Sequence, residues 1–193
     1  NQSPQLPAMT LSYANFSTWQ RDVLSGERLD EELAYWREQL QHVTPLNLLT
    51  DKPRQATRRG CGDYLTLSVS PESTQGLHAL AEKHHATLFM MLLAGLKIWL
   101  MRVTGNQDIA VGTVVANRQR QQTEQLVGFF VNTLVLRSEL SPHETLSQLL
   151  PRIRQTTLEA YTHQDFPFEK LVEALQPQRE PGSTPLFQVM LVL

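Results

Sequence analysis

Two polar side chains accompany neighbouring apolar runs and are the first candidates for chemistry. Arg118 follows the run at residues 108–116, and Asn132 lies inside the run at residues 128–136. A guanidinium can hold a carboxylate through two hydrogen bonds, which suits a clasp between two parts of a protein, although an arginine after a strand can equally be a surface residue. A buried amide without partners costs roughly 1–3 kcal/mol. Asn132 therefore either hydrogen-bonds to the neighbouring strand or faces a cavity.

Histidine and cysteine side chains are weaker candidates. His84 and His85 close a predicted helix without a carboxylate or cysteine at ligand spacing, which favours a surface role over a metal site. His163 and Asp165 could act as a base and its orienter, but they are near neighbours in a loop with no nucleophile close by. The single cysteine, Cys61, lies between two glycines and has no catalytic partner in the local sequence, so we expect an incidental thiol.

Composition narrows the function classes. The chain has 193 residues, a formal net charge of −2 and no basic run that would favour nucleic acid or an anionic membrane. One cysteine excludes an intrachain disulfide and favours a reducing, cytoplasmic setting. Phosphate-loop, dinucleotide, zinc and GxSxG patterns are absent from the sequence.

Apolar periodicity predicts the elements that would position these side chains. Helical spacing is found at residues 13–24, 29–40, 87–101 and 144–161, with a short helix ending at Leu175. A further helix is predicted to open at Ser70-Pro71-Glu72, where serine can cap and proline fits the first position, and to end near His84-His85. We expect the aromatic residues of the first two helices to pack in the core, the helix at 87–101 to be buried all round, and Pro151 to kink its helix or mark its start.

Strands are predicted at residues 64–69, 108–116, 128–136 and 186–193, the last containing Gln188. Residues 43–63 form a loop by composition, and their basic cluster is expected to be solvated; it comprises Lys52, Arg54, Arg58 and Arg59. The residues by themselves indicate a soluble mixed α/β domain with a buried polar constellation.

Seven stretches, taken together and in order, resemble the C-terminal half of the condensation domain of a non-ribosomal peptide synthetase. They are YANFSTW (13–19), LAYWREQL (33–40), TLFMMLLAGL (87–96), VGTVVANR (111–118), LVGFFVNTLVLR (126–137), HQDFPFEKLVEAL (163–175) and PLFQVML (185–191). The resemblance covers nearly the whole chain and implies an α/β (α+β two-layer) sandwich, the lobe of a fold similar to chloramphenicol acetyltransferase, with a mixed sheet packed with helices.

The resemblance implies an active-site tunnel between two lobes, of which this chain supplies one. There a donor carrier protein's acyl or peptidyl thioester meets an acceptor carrier protein's aminoacyl thioester, and an amide forms. Phosphopantetheine belongs to those carrier proteins, an adenylation domain is an expected neighbour, and no metal, nucleic acid or membrane is expected. We expect residues 1–63 to be hinge helices and linker, and residues 64–193 to be the lobe, cut within or just after its last strand.

Residue roles follow from the same resemblance. Arg118 would be the clasp to an aspartate of the missing lobe, and the loop bearing His163 and Asp165 would bridge the tunnel. Asn132 and Gln188, on neighbouring strands, would line the tunnel together with Phe129 and Thr133. The family's HHxxxDG signature is absent. His84-His85 do not form it, since Phe89 stands at the position of its aspartate. The chain alone is therefore expected to hold no catalytic residue and to be inactive.

Departures from the family pattern concern subtype. Asn15 stands where the family usually has aspartate, Val114 replaces a proline, and Glu180 and Thr184 alter the last motif. A heterocyclization-type relative would carry DxxxxD in the missing region, whereas the EGHGRE-like segment of epimerization domains is not found here. A lobe used only as a scaffold or for carrier-protein docking is the alternative from another class.

Overall fold

The structure is a computed structural model that describes residues 11–52, 62–177 and 184–193. Within those ranges the chain forms seven helices and two strands. In chain order they are α1 (Tyr13–Val23), α2 (Gly26–Leu40), α3 (Pro71–Lys83), α4 (Leu88–Thr104), β1 (Asp108–Val115), α5 (Gln121–Glu124), β2 (Asn132–Glu139), α6 (Leu146–Thr162) and α7 (Phe168–Leu175). Cys61, Arg54, Arg58 and Arg59 lie outside the described residues.

Local capping chemistry sets the ends of the predicted helices. The Ser70 hydroxyl accepts a hydrogen bond from the Ser73 amide at 3.1 Å, and Pro71 occupies the first helical position of α3. Gly105 ends α4 with a left-handed φ of 74°, a conformation that glycine adopts without steric cost. The start of α3 was predicted from the sequence, whereas α4 runs to Thr104, three residues beyond its predicted end at residue 101.

The sheet is built around β1. Strand β2 pairs with it antiparallel, from Asp108 opposite Glu139 to Val115 opposite Asn132. On the other edge of β1, Gly112 exchanges two 2.9 Å backbone hydrogen bonds with Val189 and Leu191 in a parallel bridge. The arrangement is therefore mixed, as predicted, although the expected last strand at 186–193 contributes only this bridge.

Gly112 is also the point of closest packing in the sheet. A Cβ atom at this position would lie 2.5 Å from the Phe187 ring, so only glycine lets the last segment approach β1.

Two predicted strands were wrong in extent or in kind. β2 begins at Asn132 rather than at residue 128, because residues 128–131 make no ladder with β1. Residues 64–69 form no strand, and no backbone hydrogen bond joins them to another described segment. Their apolar side chains are exposed, Tyr64 by 96% and Leu67 by 79%. Alternation favours an extended backbone, but a strand also needs a partner for its N–H and C=O groups.

The core forms where helices cover both faces of β1. Ile109 and Val111 on one face are buried, and so is Ala110 on the other. Helix α4 packs on β1 and α6, α6 packs on β2, and α2 and α7 pack on each other and on β2. This is the predicted sandwich of sheet and helices.

Helix α4 departs from its prediction on one side. Trp99 is 56% exposed and Val103 is 40% exposed, so α4 is not buried all round. No single described helix has the length and hydropathy needed to cross a membrane, and the pair α3 and α4, which passes the same criteria together, is bent by 103°.

One further helix prediction was wrong, and one of the two alternatives for Pro151 is excluded. Helix α1 contains no buried residue, so its aromatic side chains lie at the surface of this chain rather than in the core. Helix α6 starts at Leu146, so Pro151 lies inside the helix and does not mark its start.

Candidate functional site

Arg118 lies just beyond the end of β1, where the chain turns through Asn117 at a φ of 50°. Its guanidinium donates hydrogen bonds to the backbone carbonyls of Thr123 and Glu124 at the end of α5. The guanidinium carbon also lies 4.1 Å above the centre of the Phe130 ring. Among the described residues no carboxylate forms an ion pair with Arg118. The side chain is half-buried and oriented, yet its charge has no anionic partner in this chain.

A polar cavity of about 250 Å³ is lined in part by Asn117 and Gln119, the two sequence neighbours of Arg118. Arg120 forms part of its wall, and the guanidinium carbon of Arg120 lies 4.1 Å from the centre of the Trp19 ring. The lining combines two aromatic rings, neutral amides and one residue of each charge: Phe16, Trp19, Asn117, Gln119, Arg120, Thr123 and Asp165. Arg120 and the cavity were not predicted from the sequence, because their contacts join α1 to a loop about a hundred residues away.

The aromatic residues of α1 cover the entry to β2. The Tyr13 hydroxyl donates to the Phe129 carbonyl at 2.8 Å, and the Phe16 and Phe130 ring centres lie 4.6 Å apart. The Phe129 side chain itself is 74% exposed. Helix α1 thus fixes the backbone of residues 128–131 while leaving an apolar side chain on the surface.

Asn132, the first residue of β2, is 8% exposed and uses both ends of its amide. Its Nδ2 donates to the carbonyls of Gln164 at 2.7 Å and Phe166 at 2.8 Å. Its Oδ1 accepts from the backbone amides of Thr133 at 2.9 Å and Phe168 at 3.1 Å. These bonds support a structural role for the Asn132 amide, as opposed to one facing a cavity. The partner, however, is the loop at 163–168 rather than the neighbouring strand.

Gln188 is held in the same way, far from Asn132. Its Oε1 accepts from the Leu46 amide, and its Nε2 donates to the Thr184 carbonyl at 3.1 Å. The expectation that Asn132 and Gln188 lie on neighbouring strands was wrong, since β1 lies between β2 and the segment that contains Gln188. The tunnel-lining roles of Phe129, Asn132, Thr133 and Gln188 involve a lobe outside this chain and stay predictions.

His163 and Asp165 do not pair with each other; each contacts helix α2. His163 Nδ1 lies 2.8 Å from Glu32 Oε2, and the His163 ring stacks on Tyr35 at 3.8 Å between centres. Asp165 lies 3.7 Å from Arg28. The base-and-orienter reading of His163 with Asp165 therefore has no geometric support, and the contacts are architectural.

His84 and His85 lie at the end of α3, as predicted for a surface pair. The His85 carbonyl accepts from Arg154 at 2.9 Å. In the described parts of the chain no group of three or more His, Cys, Asp or Glu side chains could hold a metal ion.

Three charged residues with defined partners were missed by sequence reasoning. Glu32 is buried on the same stripe of α2 as Trp36 and Leu40. Lys97 is 0% exposed within α4 and donates to the Ser138 hydroxyl at 2.8 Å. Burial lowers the pKa of Lys97 from its ordinary 10.5 to about 7, more than the nearby Asp108 raises it.

Arg137 is the third. It bonds Asp108 through both its Nε, at 2.7 Å, and its Nη2, at 3.1 Å, and donates to the carbonyls of Gln39 and Gln41. The signal for the contact between Arg137 and Asp108 was the antiparallel pairing of the two apolar runs, because this pairing brings the start of one strand next to the end of the other.

Comparison with known proteins identifies the family. The family profile described as Condensation domain matches residues 1–193. Linear gramicidin synthase subunits C and B of Brevibacillus parabrevis are 50% and 49% identical to this chain over 99% and 100% of it. The matches span only 2% and 4% of those two proteins.

Solved structures share the fold of this chain. The X-domain from teicoplanin biosynthesis superposes with a TM-score of 0.90 at 24% identity, covering 98% of this chain and 43% of that one. A four-domain nonribosomal peptide synthetase bound to AMP and glycine superposes with a TM-score of 0.81 at 28% identity, over 90% of this chain and 13% of that one. With a profile match along its whole length, this chain belongs to the condensation domain family.

Proposed function

We propose that this chain is the C-terminal lobe of a condensation domain that joins two carrier-bound thioesters through an amide bond in a larger cytoplasmic synthetase. Family membership over residues 1–193 is the observation that carries the proposal. In the reaction, the acceptor's amine attacks the donor's thioester carbonyl, a C–N bond forms, and the donor pantetheine leaves as a thiol. Phosphopantetheine enters with the donor and acceptor carrier proteins rather than as a group resident in this lobe.

The end of the β1–β2 pair at Val115 and Asn132 supports the position of the second lobe. Phe129 is exposed there, and the Arg118 guanidinium is oriented by backbone carbonyls and a ring without an ion-pair partner among the described residues. A guanidinium held in this way is prepared to receive a carboxylate with two hydrogen bonds. We assign that carboxylate to the missing lobe.

A domain completed with a lobe that carries HHxxxDG tests the proposal. Loaded donor and acceptor carrier proteins should yield the condensed product with the complete domain, and this chain alone should yield none. Robust turnover by this chain alone, or no turnover by the complete domain, would contradict the proposal. In the second case the scaffold or docking alternative takes its place.

Arg118→Ala tests the clasp within that complete domain. We expect a loss of condensation or of solubility, since an inter-lobe carboxylate would lose its partner and remain partly buried. Arg102→Ala, an exposed arginine on α4, is the matched control. Unchanged product yield and solubility in Arg118→Ala would exclude the clasp.

A further inference from the structure

One face of helix α2 contacts the loop at 163–168. Glu32, Tyr35 and Trp36 all contact His163: the carboxylate binds Nδ1 at 2.8 Å, the phenol ring stacks at 3.8 Å, and the indole Nε1 donates to the His163 carbonyl at 3.2 Å. Positions separated by three and four residues share a helix face, so a single side of α2 makes these contacts. The same helix supplies Arg28, which pairs with Asp165.

Glu32 is the costly member of this group. It is 8% exposed, and a buried carboxylate is unfavourable unless it is paired and hydrogen-bonded. Its described partner is His163 Nδ1, across 131 positions of sequence. A leucine at position 32, like the one at position 33, could fill this space without that cost. Packing alone therefore does not account for an acid at position 32.

The loop gripped by α2 is also the loop that fixes Asn132. The carbonyls of Gln164 and Phe166 receive the Asn132 Nδ2, and the Phe168 amide bonds its Oδ1. A shift of His163 therefore moves the acceptors that orient Asn132. Because Asn132 opens β2, its position also affects Phe129 in the preceding segment and Thr133, the next residue of the strand.

We propose that Glu32 and His163 are positioning residues, through which helix α2 sets the geometry of the loop at 163–168 and of the entry to β2. The hydrogen bond between Glu32 and His163 holds the end of α6 against α2, the loop carbonyls pass that position to Asn132, and Asn132 fixes the segment that carries the predicted tunnel residues. This inference deepens the proposed function and rests on it only for the effect on amide formation.

Amide hydrogen exchange of the 193-residue chain tests the link without any assumption about activity. Glu32→Ala should speed exchange of the Phe168 amide, the partner of Asn132 Oδ1, by about tenfold, because a charge-assisted bond is worth that much or more. Glu31→Ala, one residue away and exposed, should leave it unchanged. Glu32→Gln keeps an acceptor for the Nδ1 proton and should restore most of the protection.

Unchanged exchange of the Phe168 amide in a folded Glu32→Ala chain would overturn the link. If Glu32→Ala does not fold, His163→Asn takes its place. Asparagine puts an amide donor near the position of Nδ1 but lacks the ring that stacks on Tyr35. Protection of the Phe168 amide in this variant should be intermediate. The link would also be overturned if His163→Asn kept full wild-type protection while a folded Glu32→Gln chain had lost it.

The complete domain, with loaded carrier proteins, tests the functional step. Glu32→Ala should lower the rate at saturating carrier proteins more than it changes their KM, and Glu32→Gln should recover that rate. A wild-type rate in Glu32→Ala would overturn the positioning role while the proposed function stands. An inactive wild-type domain would instead count against the proposed function, and the exchange result would still decide the link.

Discussion

An arginine lies at each end of the β1–β2 pair, and the two arginines have different partners. At the anchored end, where Asp108 lies opposite Glu139, Arg137 holds Asp108 with two hydrogen bonds and donates two more to the Gln39 and Gln41 carbonyls at the end of α2. At the open end, where Val115 lies opposite Asn132, Arg118 has carbonyls and a ring around it but no described ion pair. At the anchored end the arginine is paired with a carboxylate of this chain. At the open end the arginine has no described ion-pair partner.

The difference extends to the apolar surface. The anchored end continues into buried Leu136 and Leu140, while the open end exposes Phe129, Val127 and Val131. Apolar residues scattered on a surface are ordinary, but these lie next to an oriented charge, at the end where we propose that the second lobe binds. The same two strands thus combine an end that is completed within this chain and an end that we propose to be an interface.

Removing Arg137 should have the largest effect on stability. Arg137→Ala leaves a mostly buried Asp108 carboxylate and two carbonyls at the end of α2 without partners, at a cost of about 3 kcal/mol. The free energy of unfolding in urea measures it, with Arg102→Ala as an exposed control. A loss no larger than that of the control would remove the distinction between the two ends.

Lys97 is the exception at the anchored end, since its described hydrogen bond is to a neutral hydroxyl, that of Ser138. Its pKa is about 7 in the folded chain and 10.5 ordinarily, so the unfolded chain binds more protons between these values. Stability should therefore rise with pH through that window and lose this dependence below about pH 7.

Lys97→Met should abolish that slope and stabilise the chain near neutral pH by about 1–2 kcal/mol, because a well-packed apolar side chain avoids the desolvation cost. Urea unfolding at several pH values between about 7 and 9 measures both effects. A slope that persists in Lys97→Met would show that another group produces it.

Arg118→Ala in this chain alone should have the smallest effect. The substitution removes hydrogen bonds to the Thr123 and Glu124 carbonyls and one ring contact, worth about 1 kcal/mol together. Urea unfolding beside Arg137→Ala gives the comparison directly. Equal losses for the two arginines would mean that Arg118 is an internal anchor, and that the open end is not reserved for a partner.

Much of the fold was predictable because it depends on neighbours in sequence. The serine and proline at 70 and 71 start α3 through their own backbone geometry, and the apolar run after Asp108 predicts a strand covered on both faces. The family motifs were also readable, and the profile match over the whole chain confirms the assignment. Arg118 and Asn132 were found as polar residues beside apolar runs, since such exceptions are visible in one dimension.

The tertiary structure decided which partner each polar group has. Sequence spacing left Asn132 between a strand partner and a cavity, and the structure bonded it to a loop more than thirty positions away. It paired His163 with Glu32 instead of Asp165, and it left residues 64–69 without the partner that a strand requires. Caps and alternation are local properties that a sequence carries by itself, whereas a hydrogen bond or an ion pair needs two groups whose approach depends on how the whole chain packs.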